Sequence, residues 1–346
     1  MLITVREIAV ADEAAWDNFV KNHPDGTFCH RAGWRTVVEN GAKHRCIYFL
    51  AERDGAIVGV LPLVYRKSRL FGNALISSMF AVYGGPLAVD DGVYRALDEA
   101  AWDKAVSLGA ATLEYRTAHA RNHDLVSWLI DEKSATFRKV LKATEEDILL
   151  DIPRKQRAVV RKALKAGLTC VWDRDIDTFY SLYAESVRNL GTPVFPKRLF
   201  TEFLEVFGDD VDVQIVYTAK GEAVAGLMSF YHGDWVLPYY AGGTRQAREY
   251  GAHDFMYYEL MLRAVARGTK GFDFGRSKVG SGPYRFKKNW GFEPTSLQYQ
   301  IRVAPGAEQN DLSPTNKKFE FLVKTWKKLP LPVANFIGPL ISRHLG

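Results

Sequence analysis

Two stretches of the sequence share one pattern, and that pattern decides the fold. Residues 52–65 read ERDGAIVGVLPLVY, and residues 218–231 read TAKGEAVAGLMSFY. In each stretch a glycine-containing turn separates two runs that favour strands, which predicts a β-hairpin. The aligned positions carry matching residues: Val58 and Val224, Leu61 and Leu227, Tyr65 and Tyr231. The chain is therefore predicted to contain the same hairpin twice.

A second matched block follows each hairpin in the same order. Tyr-Gly-Gly at residues 83–85 answers Tyr-Ala-Gly-Gly at residues 240–243. A predicted helix comes next, Arg95–Leu108 in the first half and Asp254–Arg267 in the second, and then a short apolar strand. Coincidence between two α/β domains is the alternative, but matched blocks in one order favour duplication.

We therefore predict an α/β (α+β) protein of two tandem domains, each a mixed sheet flanked by helices. The first domain is expected over residues 1–145 and the second over residues 146–304, followed by a helical tail over residues 305–346. A length of 346 residues suits two domains of ordinary size. Hydrophobic residues at 47% and charged residues at 25% are values typical of globular proteins.

The composition argues against several classes of protein. No apolar run approaches the ~20 residues that a membrane-spanning helix needs. Arg6 and Glu7 lie where a signal peptide requires an apolar run. The three cysteines lack Cys-x-x-Cys spacing and the eight histidines form no metal-binding pattern, so neither a disulfide framework nor a metal site is expected. These features suit the cytoplasm.

The junction between the halves is strongly basic. Residues 153–165 (PRKQRAVVRKALK) hold six cations and no acid, which equals the net charge of +6 of the whole chain. The segment predicts a helix on which Arg157, Arg161 and Lys165 share one face. Guanidinium groups match diphosphates and carboxylates, so Arg157 and Arg161 are candidates to bind an anionic substrate. A solvated basic face is the alternative.

The repeated unit resembles the GNAT (N-acyltransferase) fold. Two such units around a basic helix resemble the FemAB family, the aminoacyl-tRNA-dependent peptidyltransferases of cell-wall bridge synthesis. The resemblance covers about residues 15 to 303, and its specific stretches are Gly26-Thr27-Phe28 with Trp34, Arg157 to Ala163, and FDFGRSKVGSGPYRFKKNWGFEP at residues 272–294. The last stretch is most similar to the subgroup associated with PEP-CTERM/exosortase systems, which accompany exopolysaccharide production.

The end of that stretch carries the predicted chemistry. In GNAT acetyltransferases a helix often ends Phe-Tyr-x-x-x-Gly-Phe, and the same frame here begins with Phe286 and Lys287. The resemblance implies that Lys287, in the tyrosine position, stabilises a transition-state oxyanion. Little is expected of Lys288. Phe286 is expected in the core and also as a wall of the site.

Four further residues are candidates for the site. Asp273 and Arg276 follow a predicted central strand, where α/β sheets often bind ligands. Asp273 either orients an amine or Lys287, or caps the following glycine-rich turn. Tyr240 either donates a hydrogen bond to substrate or lies in the core. Trp34 is included among the substrate-binding residues through the resemblance.

The donor remains open between aminoacyl-tRNA and acyl-CoA, with no metal or redox cofactor expected. The GNAT pyrophosphate signature R/Q-x-x-G-x-G/A aligns with Arg248 to His253, which leaves Arg248 and Gly251 as cofactor-binding candidates. His253 replaces the final small residue, which predicts weak pyrophosphate binding. The long helical arm with which some FemAB members contact tRNA is not visible in the sequence.

The predicted activity is acyl or aminoacyl transfer that forms an amide on the amine of an anionic acceptor, such as a nucleotide sugar or a glycolipid precursor. An acyl-CoA-dependent N-acyltransferase of a sugar or amino-acid amine is one alternative, and a non-catalytic GNAT-like scaffold is another. The basic and then apolar tail either packs back on the first domain, as the resemblance implies, or touches an anionic membrane surface. The expected location is cytoplasmic, at most peripheral to the inner membrane face.

Overall fold

The computed structural model describes residues 2–69, 71–120, 127–307 and 317–346. Its first elements are β1 (Thr4–Glu7), α1 (Glu13–Asn22), α2 (Gly33–Gly41), β2 (Arg45–Arg53), β3 (Ala56–Arg66), β4 (Ala74–Ser77), β5 (Leu87–Ala88), α3 (Asp91–Ser107), β6 (Thr112–Tyr115), β7 (Leu129–Val140), α4 (Glu145–Asp151) and α5 (Arg154–Lys165). The later elements are β8 (Thr169–Asp173), α6 (Ile176–Leu190), α7 (Lys197–Phe207), β9 (Val211–Tyr217), β10 (Ala223–His232), β11 (Trp235–Gly243), α8 (Ala247–Tyr250), α9 (Ala252–Ala266), β12 (Gly271–Asp273), β13 (Ser277–Lys278), α10 (Gly282–Asn289), β14 (Pro294–Val303), α11 (Lys317–Trp326) and α12 (Leu331–Ser342).

The contacts divide the chain into two compact units. Unit 1 consists of Met1–Glu132, Leu297–Asn316 and Leu340–Gly346, and unit 2 consists of Lys133–Ser296 and Lys317–Pro339. Most of β7 therefore belongs to unit 2, although it precedes the boundary predicted at residue 145. Most of β14 belongs to unit 1, although it lies within the second domain predicted over residues 146–304.

Unit 1 is a mixed sheet with the strand order β1-β2-β3-β4-β6-β14. Neighbours from β1 to β4 are antiparallel, β4 and β6 are parallel, and β14 is antiparallel to β6. The predicted hairpin is confirmed, since Asp54 and Gly55 have φ of 52° and 80° and connect β2 to β3. Helix α3 connects the parallel strands, and its Val93 and Leu97 pack in the core of this unit.

Unit 2 repeats this order with the strands β8-β9-β10-β11-β12-β7. Neighbours from β8 to β11 are antiparallel, β11 and β12 are parallel, and β7 is antiparallel to β12. The shared order confirms the predicted repeat and the mixed α/β architecture. Helix α9 connects the parallel strands here, as α3 does in unit 1.

Two irregularities of β11 shape unit 2. The register between β10 and β11 shifts between Met228 and Ser229, which leaves Tyr239 as an extra residue on β11. The parallel pairing of β11 with β12 covers only Trp235 and Val236, whereas β11 continues to Gly243. The hydrogen-bonded pairing between the two parallel strands therefore stops at Phe272. Asp273, the last residue of β12, is not paired with β11.

The predicted helices are confirmed within a few residues. Helix α5 covers the basic segment, with Pro153 at its N-cap position and Gly167 just beyond its end at φ 70°. Helices α3 and α9 begin four and two residues earlier than the sequence pattern predicts. In α3 the carboxylate of Asp90 accepts a hydrogen bond from the backbone N–H of Val93, which sets the earlier start.

The C-terminal segment contacts both units in turn. Val323 of α11 lies close to Gly191 at the end of α6, and Gly338 of α12 lies close to Val194, all within unit 2. In unit 1 the ring Nε2 of His44 is 2.6 Å from the carbonyl oxygen of Arg343. Across the described ranges, no helix has both the length and the apolar character required to cross a bilayer.

Candidate active site

The site in unit 2 begins with a buried carboxylate at the end of β12. Asp273 is 1% exposed and accepts hydrogen bonds from Nε of Arg138 at 2.7 Å, the hydroxyl of Thr136 at 3.3 Å and the backbone N–H of Gly275 at 2.8 Å. The first two donors lie on β7 and the third lies in the turn after β12. Asp273 therefore caps the glycine-containing turn and fixes it to the neighbouring strand.

Lys287 reaches this turn from α10. The helix begins where the hydroxyl of Ser281 accepts from the backbone N–H of Tyr284, and Lys287 lies near its C-terminal end. Its side chain is buried, with the residue 9% exposed. The ammonium donates to three consecutive backbone carbonyls, at 2.6 Å to Phe274, 2.9 Å to Gly275 and 3.2 Å to Arg276.

The surroundings of Lys287 lower the pKa of its amine to a value near neutral pH. Burial lowers the pKa of the amine to about 7; the carboxylate of Asp273 opposes this shift and the guanidinium of Arg276 adds to it. Three carbonyl acceptors match the three N–H groups of an ammonium. Nζ also lies 5.5 Å from the ring centre of Phe137, within the range of a cation–π contact. A buried amine with a strongly shifted pKa is a candidate functional group.

The residues next to Lys287 on α10 are more exposed than Lys287 itself. Lys288 is exposed. Phe286 is half-buried, with its ring centre 5.7 Å from that of Tyr257 and 6.1 Å from that of Trp290. Phe286 therefore packs on the core of unit 2 and keeps one exposed side. Arg276 has an exposed side chain and contributes only its backbone carbonyl to the contacts of Lys287.

Sequence reasoning missed Asp254, which links three helices. Its carboxylate on α9 accepts from the indole Nε1 of Trp290 at 3.0 Å and is also hydrogen-bonded to the side chain of Gln156 on α5. Burial raises its pKa, and these two hydrogen bonds oppose the rise. An acidic residue in the first turn of a helix is common, so the sequence held no signal for this role.

Helix α5 carries a basic cleft next to this junction. A shallow, open surface depression of about 570 Å³, called the α5 cleft below, has all its lining residues on this one helix: Arg154, Arg157, Ala158, Arg161, Lys162 and Lys165. Val160 and Ala163 are buried on the other face of the helix, so the cations are directed outward. Among the described residues, no acidic side chain pairs with Arg157 or Arg161. The structure thus brings both predicted arginines to one cleft.

Helix α5 also contacts the turn that aligns with the pyrophosphate signature. Gly251 has φ 68°, and a Cβ there would lie 2.6 Å from Cγ1 of Val159 on α5. Nζ of Lys162 donates to the carbonyl of Glu249 at 3.4 Å, whereas the side chain of Arg248 is exposed. His253 is half-buried close to Gly243, and desolvation lowers the pKa of its imidazole. Both α5 and His253 therefore occupy space around this turn.

Two predicted substrate-binding residues lie in the cores. Trp34 in unit 1 has no exposed surface, and its indole N–H donates to the carbonyl of Met79 at 3.0 Å. Tyr240 in unit 2 is buried among aromatic rings, with ring centres 5.1 Å from Phe200 and 5.9 Å from Tyr183. Both side chains are therefore buried in this structure.

Comparison with known proteins places this geometry in a fold family. Residues 154–288 match the sequence model of the acetyltransferase (GNAT) domain. A search of curated protein sequences finds no significant match. The matched range contains the basic helix, the turn at Gly251 and Lys287, so these residues lie in the segment that is similar to a GNAT domain.

Solved structures share the fold of this chain over most of its length. FemX shares 17% identity over 87% of this chain and 97% of its own, with a TM-score of 0.69. L-PGS from Bacillus licheniformis shares 12% identity over 94% of this chain and 99% of its own, with a TM-score of 0.58. A tandem GNAT protein from the clavulanic acid biosynthesis pathway shares 13% identity over 89% of this chain and 100% of its own, with a TM-score of 0.57. At these identities the likeness concerns the fold, and it confirms the predicted tandem GNAT fold.

Proposed function

We propose that this protein is an N-acyltransferase of the FemAB type, which forms an amide between an activated carboxyl group and the amine of an anionic acceptor. The observation that carries the proposal is the buried ammonium of Lys287, close to Asp273 in the segment, residues 154–288, that matches a GNAT domain. The fold shared with FemX supports the FemAB type.

The transfer step requires stabilisation of a developing negative charge. The acceptor amine attacks the acyl carbonyl, a C–N bond forms, and the carbonyl oxygen carries a negative charge until the bond from the acyl carbon to the leaving oxygen or sulfur breaks. The amine nitrogen gives up one proton and the leaving oxygen or sulfur takes up one. The ammonium of Lys287 would stabilise that charge. Its longest hydrogen bond, 3.2 Å to the carbonyl of Arg276, is the one that a substrate oxygen would replace. Asp273 would act by holding the turn at residues 274–276 in place.

The acceptor is proposed to bind through the cleft on α5. Arg157 and Arg161 present guanidinium groups in a cleft with three further cations and no acid among its lining residues. Such a set favours a diphosphate, as in a nucleotide sugar or a glycolipid precursor. Pro153, at the start of α5, lies against Gly291 at the end of α10, so the acceptor helix adjoins the helix of Lys287.

Aminoacyl-tRNA is the donor that we favour over acyl-CoA. Val159 lies against Gly251, and His253 occupies the final position of the pyrophosphate signature, so little room is left for a pyrophosphate. We expect no affinity for CoA tighter than about 0.1 mM. An acyl-CoA-dependent N-acyltransferase is the second candidate, favoured by the matched acetyltransferase domain.

The biological setting is proposed from resemblance alone. A link to cell-wall synthesis follows from the FemAB type, and a link to exopolysaccharide and PEP-CTERM/exosortase systems follows from residues 272–294. Location at the cytoplasmic face of a membrane would suit a glycolipid acceptor.

A donor assay on the purified protein tests the proposal. The protein is incubated with UDP-linked amino sugars and with either charged tRNA or acetyl-CoA, and the amide product is measured by mass spectrometry. We expect product with charged tRNA only, and calorimetry should show no CoA binding below about 0.1 mM. Micromolar binding of acetyl-CoA together with acetylated product would establish the second candidate instead. Absence of product from both donors, with an acceptor bound, would contradict an enzymatic role.

A further inference from the structure

Helix α12 exposes a continuous apolar face. Its sequence, LPVANFIGPLIS, contains no charged residue. At 100° per residue, the buried Ala334 and Gly338 lie on one side, and Val333, Phe336 and Leu340 lie on the other. Phe336 is 78% exposed and Leu340 is 61% exposed. Large apolar side chains grouped in this way on a surface mark an interaction site.

Helix α11, which precedes it, adds exposed apolar and basic side chains. Val323 packs toward Gly191, and Phe321, two residues earlier on the helix, is 75% exposed. Lys327 and Lys328 are exposed at the end of the helix. From residue 317 to residue 346, which includes both helices, the sequence contains six cations and one acid, Glu320. The segment that carries the apolar surface is therefore predominantly positive.

The exposed apolar side chains and lysines of α11 and α12 together indicate one kind of partner. Exposed aromatic and aliphatic side chains bordered by lysines match a bilayer with anionic headgroups, because the apolar groups enter the acyl boundary while the ammonium groups face phosphates. We propose that α11 and α12 form a docking surface for an anionic phospholipid bilayer, on which the helices lie in the interfacial plane. No helix among the described residues is suited to span the membrane, which agrees with surface docking.

The docking surface is independent of the reaction proposed above. Its residues belong to neither the Lys287 site nor the α5 cleft. Loss of docking would therefore leave turnover of a water-soluble acceptor unchanged, and loss of turnover would leave docking unchanged. The two proposals can fail separately.

Vesicle co-sedimentation of the full chain tests the surface. Vesicles contain either phosphatidylcholine alone or phosphatidylcholine with about 40% phosphatidylglycerol. We expect binding to the anionic vesicles that falls about tenfold in partition coefficient with Phe336→Ser. The double variant Lys327→Gln/Lys328→Gln should lower it by about thirtyfold, and added salt should weaken it. Val106→Ser on α3 and Lys21→Gln/Lys220→Gln are the matched exposed controls, and both should bind as the parent protein does.

Three outcomes would overturn the proposal. The first is no binding to anionic vesicles. The second is equal binding to both kinds of vesicle, insensitive to salt and to the lysine variants, because the anionic partner would then be wrong. The third is a dimer in analytical ultracentrifugation that Phe336→Ser dissociates and that vesicles do not, because the surface would then belong to a second copy of the chain.

Discussion

Units 1 and 2 share a strand order but begin their crossover helices differently. In unit 1 the carboxylate of Asp90 accepts from the backbone N–H of Val93 at 2.9 Å and pairs with Arg53 at 2.8 Å. In unit 2 helix α9 begins at Ala252, and its N-cap residue, Gly251, has no side chain to cap it. A carboxylate at a helix N-terminus satisfies the N–H groups and the positive end of the dipole that would attract a phosphate. Unit 1 thus uses its helix start for its own stability.

The groups at the ends of the parallel strands also differ: in unit 1 the charged group is used for internal hydrogen bonds, whereas unit 2 holds a titratable amine. After β6, the buried guanidinium of Arg116 donates to Glu114 at 3.0 Å, to the carbonyl of Ala81 at 2.8 Å and to the carbonyl of Gly346 at 3.1 Å. In the turn after β12, next to Asp273, lies the buried amine of Lys287, whose pKa is lowered by burial to about 7. Among the described residues, only unit 2 therefore combines an amine with a pKa near neutrality at the strand end with a basic cleft, and we predict one active site per chain, in unit 2.

The largest expected effect comes from Lys287→Ala. Loss of one oxyanion donor should lower kcat by about 10²–10³-fold, with little change in the acceptor KM. Lys288→Ala, on the exposed side of the same helix, is the matched control. Because three carbonyls lose their donor, denaturant unfolding is measured as well, and the free energy of unfolding should fall by about 1–3 kcal/mol. Equal and mild effects of the two substitutions on kcat would show that neither lysine is catalytic.

The Lys287→Tyr variant sharpens the choice of donor. A tyrosine there restores the residue that GNAT acetyltransferases use to protonate a thiolate. If acyl-CoA were the donor, activity should be kept or raised, whereas transfer from aminoacyl-tRNA should be abolished. The rate with each donor is measured on one preparation, so the comparison does not depend on the amount of folded protein.

The second effect concerns the cleft on α5. Arg157→Ala and Arg161→Ala should each weaken binding of an anionic acceptor by about 1.5–3 kcal/mol, because charge-assisted hydrogen bonds are lost. Calorimetry with UDP-N-acetylglucosamine as the probe measures this loss. Lys155→Ala, on the same helix but outside the cleft lining, should bind the probe normally. A large fall in melting temperature with unchanged binding would make the arginines structural.

A pH profile tests the protonation state of Lys287. With a pKa of about 7, the ammonium is lost above neutrality, so kcat should fall as pH rises, approaching tenfold per unit. The unfolded lysine keeps its proton up to its ordinary value of 10.5, so between about 7 and 10.5 the unfolded state binds more protons. The free energy of unfolding should therefore rise with pH in this window, and Lys287→Met should remove that rise. Activity that increases above pH 7 would indicate a neutral amine acting as base.

The smallest expected effect comes from removing the N-cap of helix α3 in unit 1, which helix α9 of unit 2 lacks. Asp90→Ala should lower the free energy of unfolding by about 1 kcal/mol, the usual cost of a lost N-cap, and leave kcat unchanged. Denaturant unfolding together with the kinetic assay measures both quantities. A fall in kcat without a loss of stability would place a functional group in unit 1 and remove the contrast between the units.

Local patterns in the sequence determined the elements and their repetition. The strand periodicity and the glycine turns predicted the hairpins at residues 52–65 and 218–231, and both are present. The cations spaced at four residues predicted helix α5 and its basic face. The helical period also separated Lys287 from Lys288, because neighbouring residues on a helix point about 100° apart. These properties depend on residues close together in the chain.

Only the tertiary structure decided the environment of the candidate site. Arg138 and Asp273, 135 residues apart, pair because β7 aligns beside β12 in unit 2. Burial then turns a common helix lysine into an amine with a pKa near 7. Packing likewise placed Trp34 and Tyr240 in the cores and joined Asp254 to Trp290. Burial and long-range register arise from the whole fold, so composition and spacing cannot specify them, whereas local periodicity specifies a helix or a hairpin directly.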